Sequence, residues 1–162
     1  FVDYDDFLNE GLYKSVEDGD WTNTQTFIRE KKVDLLSLAP GSITILHVAA
    51  MAGHVNIVKG LMSKAQGLVR MQDGRGFTAL ALAAHLTGNT NVAKCMVERV
   101  SEEIRRDLLA IGNINGEIPL LLAADKGHAE MTRYLHKKTP KNVLDKRDSV
   151  RLLERCIKAE IF

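Results

Sequence analysis

Thr44-Ile45-Leu46-His47-Val48-Ala49-Ala50-Met51-Ala52-Gly53-His54-Val55-Asn56-Ile57-Val58 is the stretch whose reading decides the fold. A threonine before a short apolar run can satisfy the free N–H groups of a helix start. The paired alanines let a neighbouring helix approach closely. Gly53 follows where a short helix must stop, and glycine suits a left-handed C-cap. Beyond it, Val55, Ile57, Val58, Leu61 and Met62 return at helical spacing. The stretch reads as two short helices joined by a tight turn.

The pattern recurs along the chain. The segment Thr78-Ala79-Leu80-Ala81-Leu82-Ala83-Ala84 repeats the opening at Thr44, and Ile118-Pro119-Leu120-Leu121-Leu122-Ala123-Ala124 repeats it again. The interval from Leu46 to Leu80, taken backward from Leu46, arrives at Leu12, followed by Val16 and Gly19-Asp20-Trp21. Four units therefore align on Leu12, Leu46, Leu80 and Leu120, at spacings of 34, 34 and 40. Gly88 and Gly127 repeat the role of Gly53, and Asp73-Gly74 and Asn115-Gly116 mark tight turns between units. Apolar residues follow each glycine: Val92, Met96, Val97 and Val100 in one unit, Ala129, Met131, Tyr134 and Leu135 in the next. No such helix pair can bury its apolar face alone, whereas a stack of them makes one continuous core.

The spacing and the Thr-x-Leu-His-x-Ala core of the second unit resemble the ankyrin-repeat family over residues 12–140. Departures are Ala81 for the motif histidine, Thr87 inserted before Gly88, and Ile118 and Leu121 for the motif threonine and histidine. The resemblance implies an all-α solenoid, one domain over 1–162. It comprises a degenerate capping repeat at 12–40, repeats at 41–73, 74–112 and 113–144, and a partial fifth at 145–162. Asp148 is expected to cap the first helix of that fifth unit, over 148–161. An elongated segment from Val97 to Ile111 accounts for the longer last spacing. Its Arg99, Glu102, Glu103, Arg105 and Arg106 are expected to form a solvent-facing series of ion pairs.

A narrower resemblance rests on Leu12-Tyr13, Gly19-Asp20-Trp21, Asn115-Gly116-x-Ile118-Pro119-Leu120, Gly127-His128-x-Glu130-Met131-x-x-Tyr134-Leu135 and Leu152-Leu153-Glu154-Arg155-Cys156-Ile157. This combination is similar to plant ankyrin-repeat membrane proteins of the accelerated-cell-death type, which carry a C-terminal PGG domain. It implies the N-terminal cytosolic part of a defence or stress signalling protein. The chain would then be a fragment, cytoplasmic by itself and held at the cytosolic face of a membrane by C-terminal transmembrane helices outside it.

Composition agrees with a soluble helical domain. Hydrophobic residues are 45% of the 162 and charged residues 27%, while aromatics are only 6% and prolines three, which argues against an all-β sandwich. The net charge of +1 gives no global case for nucleic acid. Residues 1–20 nevertheless hold seven acids against Lys14, so that segment is net −6 and the remainder net +7. Cys95 and Cys156 belong to no Cys-x-x-Cys pair, and no Asn-x-Ser/Thr sequon occurs, which fits reduced thiols in the cytosol.

Candidate chemistry is sparse. His47 is expected to hydrogen-bond backbone between units, and His54 and His128 to cap and pack; only His85 and His136 are expected to be exposed. No His-x-x-x-His, Cys/His quartet, Gly-x-Ser-x-Gly or phosphate-binding glycine loop occurs, so no metal, cofactor or catalysis is expected. The basic cluster Lys137, Lys138, Lys141, Lys146, Arg147, Arg151 and Arg155 could meet nucleic-acid phosphate or anionic lipid. The plainer reading is a solvated loop diluted by Asp145 and Asp148.

The expected activity is protein binding. In the fold that the resemblance implies, turn tips and the exposed side of each first helix line a concave face. That places Ile43, Arg75, Phe77, Ile114 and Glu117 on turns, and Glu17, Met51, His85, Asp125 and Lys126 on first helices. An exposed Phe77, Met51 or Ile43 would be an apolar anchor; the competing reading buries Phe77 and Met51 between units. The partner is expected to be another protein or a second copy of this chain. The alternative function is a soluble ankyrin regulator that binds a transcription factor.

Overall fold

A computed structural model describes residues 4–36 and 43–161. The expected junction of the first two units near 40–41 lies outside the described residues, as do Asp3 and the final residue of the expected fifth unit. Ten α-helices and two short 3-10 turns make up the regular structure among the described residues. They are α1 (Tyr4–Glu17), α2 (Trp21–Glu30), α3 (Ile45–Ala52), α4 (Val55–Lys64), α5 (Ala79–Leu86), α6 (Thr90–Glu98), α7 (Glu102–Ala110), α8 (Pro119–Asp125), α9 (Ala129–Lys138) and α10 (Lys146–Lys158). The molecule is an all-helical solenoid.

Two rows result. The inner row runs α1, α3, α5, α8, α10, each helix packed on the next, and the outer row runs α2, α4, α6, α9 in the same way. Alanine makes the inner row possible: Ala49, Ala50, Ala83, Ala84, Ala123 and Ala124 are all buried where consecutive inner helices meet. Leu12, Leu46, Leu80 and Leu120 occupy matching places in successive layers, each at most 2% exposed. Full burial of such a side chain is worth about 1.5–3 kcal/mol, so the aligned leucines are the repeated unit of stability.

The helix ends follow local rules. Thr44 and Thr78 accept hydrogen bonds from the backbone N–H of His47 and Ala81. Ile118 can offer no such cap; Pro119 at the first position of α8 removes one of the donors that would need it. Gly53, Gly88 and Gly127 all take positive φ just after the inner helices, as the turn into the outer row requires.

Four local expectations are corrected. The cap of α10 is Asp145, whose Oδ1 accepts from Asp148 N at 2.7 Å, and the helix begins at Lys146. Asp148 lies in the first turn, where its charge favours the helix N-terminus. The elongated segment holds the extra helix α7, capped by Ser101, and its one internal ion pair among the described residues joins Arg106 to Glu102. Arg105 instead donates to the Val97 carbonyl, and Asp107 pairs with Arg70. Neither His54 nor His128 makes a side-chain cap; His54 Nε2 reaches back to the Glu17 carbonyl at 2.9 Å. His136 is exposed as expected, but His85 is half-buried.

Candidate functional site

The turns that join successive layers are built alike. Asp73 Oδ1 accepts from the N–H groups of Arg75 and Phe77, and Asn113 Oδ1 accepts from those of Asn115 and Glu117. A short oxygen-bearing side chain thus closes each turn upon itself. Gly76 N and Gly116 N donate to the carbonyls of Asp73 and Asn113. The two turns are then tied together, since Ile114 N donates to Arg75 O at 3.0 Å. That approach leaves no room at Gly76, where a Cβ would lie 2.8 Å from Ile114 N.

His47 locks the previous layer to this one. The Thr44 N–H donates to its Nδ1, so the proton sits on Nε2 and is donated to the Phe77 carbonyl at 2.7 Å. Burial pushes this imidazole below the usual histidine range, against the opposing pull of the Phe77 carbonyl and Asp73. It is a neutral structural strut, as its motif position suggests.

The exposed side of the inner row forms a line. Glu17, Met51, His85 and Asp125 stand at equivalent positions in the last turns of α1, α3, α5 and α8, in the same register as the aligned leucines. Ile43, Phe77 and Glu117 form a parallel line along the turns. Met51 is 41% exposed, Ile43 45% and Ile114 73%. Of the two readings of Phe77, the buried one is the one observed: it is only 6% exposed, and its ring lies 5.4 Å from that of His85. Arg75 also lies over the Phe77 ring, with Cζ 4.9 Å from the ring centroid.

Arg75, Phe77, His85, Glu117, Asp125 and Lys126 come together at one end of this surface, while Ile43 and Met51 lie one layer earlier. His85 is held below its usual range by burial, then by the charges of Lys126 and Arg75; Glu117 and Asp125 act the other way. Sequence reasoning missed what sits on the two carboxylates. Arg151 of α10 donates to Glu117 Oε2 at 2.7 Å and to Asp125 Oδ2 at 3.2 Å, and Arg155 pairs with Asp125 Oδ1 at 2.6 Å. Burial opposes charge on Glu117, yet hydrogen bonds from Asn113 and Arg151 hold it below the usual carboxylate range. The same pairing raises Arg151. These arginines read as part of a basic solvated segment in sequence; partners in the preceding layer leave no local signal.

Nothing in this arrangement resembles an activated nucleophile. Burial raises the thiols of Cys95 and Cys156, the reverse of what thiolate chemistry needs. Among the described residues no cluster of three or more His, Cys, Asp or Glu is placed to hold a metal, and no helix is long and apolar enough to cross a membrane.

Comparison with known proteins agrees with this architecture. The family model of ankyrin repeats in three copies matches residues 12–107. Protein phosphatase 1 regulatory subunit 27 of Homo sapiens is 29% identical over 92 residues, which cover 56% of this chain and 58% of that protein. The subunit of the same name from Mus musculus is 28% identical over 114 residues, covering 70% of this chain and 69% of that protein. The chain thus spans less than two thirds of the human relative's length. With stacked helix pairs and a family match over more than half its length, the chain belongs to the ankyrin-repeat family, whose domains serve as protein–protein interaction scaffolds.

Proposed function

We propose that this scaffold holds its protein partner on the concave line through Met51, His85, Asp125 and the turn tips Ile43, Arg75, Ile114 and Glu117. The observation that carries the reading is the register of the inner helices: each layer presents one side chain at the same place, and most of these are at least partly exposed. Phe77 enters this reading as a support that fixes Arg75 and His85. The binding body is the whole chain as one domain, with the repeat limits read from the sequence.

The scaffold serves as the cytosolic part of a membrane-anchored plant signalling protein, a reading supported by the residue combinations shared with that group. Affinity capture with the wild-type chain, repeated with Met51→Ala, Arg75→Glu and Ile114→Ala proteins of unchanged circular dichroism, tests the surface. Loss of the captured partner in at least one variant is expected; capture unchanged in all three rejects the surface. Fractionation of cells expressing the full-length protein tests the anchorage, and recovery in the soluble or nuclear fraction rejects it.

A second reading has its own support. The relatives named above are regulatory subunits of protein phosphatase 1, so a phosphatase of that type is a candidate partner. Binding of purified protein phosphatase 1 catalytic subunit, lost in the same variants, is the result expected of it.

A further inference from the structure

The proposed binding surface is electrically unbalanced at its α8–α10 end. Two of its carboxylates, Glu117 and Asp125, are engaged by arginines of α10, and a third, Asp73, is engaged by the backbone N–H groups of its own turn. Arg75 and Lys126 are exposed and have no carboxylate within ion-pair distance among the described residues. With Arg151 and Arg155, and with Asp73 counted beside Arg75, the cluster holds four cations against three acids, a net +1 with His85 neutral. The Phe77 ring meets the guanidinium of Arg75 through its face, which leaves the N–H edges free to take a carboxylate two at a time. Apolar surface adjoins these cations, for Leu86 beside His85 is 50% exposed and Met51 one layer earlier 41%.

We propose that this end of the groove receives an acidic segment of a partner protein, with carboxylates between Arg75 and Lys126 and an apolar side chain against Leu86 and Met51. The proposal rests on the concave surface being the binding face. Charge complementarity selects the occupant: like charges brought together across an interface repel, so a basic segment is excluded where cations are already in surplus. An acidic segment supplies the counter-charge that Glu117 and Asp125 cannot, because Arg151 and Arg155 already occupy them.

The test is selection of short random peptides, displayed on phage, against the 162-residue chain at low ionic strength. Enriched sequences are then synthesised and titrated by fluorescence anisotropy against wild type, Met51→Ala and the double variant Arg75→Glu/Lys126→Glu. Arg75→Ala/Lys126→Ala serves as the milder pair should the reversal disturb folding. Enriched peptides are expected to be net acidic with a large apolar residue, and to bind the charge-reversed protein about tenfold more weakly. Neutral or basic peptides that lose affinity for Met51→Ala would overturn the acidic partner and leave the concave face standing. Peptides indifferent to every variant would overturn both, and no enrichment would overturn the acidic segment. Sedimentation of the chain alone gives the remaining outcome. A concentration-dependent dimer abolished by the charge reversal would overturn the separate partner, placing a second copy's acidic residues in the groove.

Discussion

His47 and Phe77 are joined by one hydrogen bond, from the imidazole Nε2 to a main-chain carbonyl 2.7 Å away in the next repeat. Both partners are buried. The bond therefore links the capped start of one inner helix to the turn that precedes the next. Replacing His47 with alanine removes the ring that accepts from the buried Thr44 N–H and leaves the Phe77 carbonyl with the Asp73 N–H alone. The expected loss is about 2–4 kcal/mol, from a buried donor left unsatisfied at Thr44, a lost bond between repeats and a small cavity. Urea denaturation followed by circular dichroism measures it.

The same histidine makes stability depend on pH. Its folded value lies below the ordinary one, as does that of His85. In the range between folded and unfolded values the unfolded chain binds more protons, so stability rises with pH there. The stabilisation is fully present above about pH 6.5 and is lost as the pH falls from there through the folded-state values. The melting temperature is expected to fall over that range in the wild type, and to fall less steeply in the His47→Ala protein. Equal slopes in the two proteins would count against the role given to His47.

Gly76 and Gly116 offer a matched comparison. Both have positive φ, of 80° and 73°. A Cβ at Gly116 meets nothing within 4 Å, whereas one at Gly76 runs into the backbone of Asn113 and Ile114. Gly116→Ala is expected to cost about 1–2 kcal/mol, the left-handed penalty alone. Gly76→Ala is expected to cost about 3 kcal/mol or more, since two tied turns must also part. Thermal melts of the two variants side by side decide it.

Gly60 sits within α4 because the indole of Trp21 lies against it. Trp21 is the only tryptophan in the chain, so the indole emission comes from this site alone. Gly60→Ala gains helix propensity but displaces the ring. A red shift of the fluorescence maximum is expected, without loss of helical circular dichroism. An unshifted spectrum would mean that the indole packs elsewhere.

Arg151 bridges α10 to both Glu117 and Asp125, which are less exposed than the arginine itself. Arg151→Ala is expected to destabilise the chain by about 1–2 kcal/mol, more than an exposed surface pair is worth. A double-mutant cycle with Glu117→Gln isolates the shared term, and a coupling near zero would make the bridge incidental.

Much of this is legible in the linear order of residues. The periodic leucines, the threonine caps, the alanine pairs and the helix-ending glycines act within one turn or one helix, where short-range sterics and backbone hydrogen bonding dominate. They determine that the chain forms paired helices, and their repetition at spacings of 34, 34 and 40 determines that the pairs stack. The start of α10 is harder to read, because Asp145 and Asp148 are equally good caps by type, and backbone direction decides between them.

Tertiary structure alone decided the character of the surface. Phe77 reads as a turn-tip aromatic, yet it is buried once the layers pack. Arg151 and Arg155 read as solvated charges, yet they neutralise Glu117 and Asp125 from the neighbouring layer. Which charges remain free depends on Coulomb interactions between side chains far apart in sequence, whose distances are set by how the layers pack. Local pattern therefore fixes the stack, while the chemistry of its groove exists only once the stack is built.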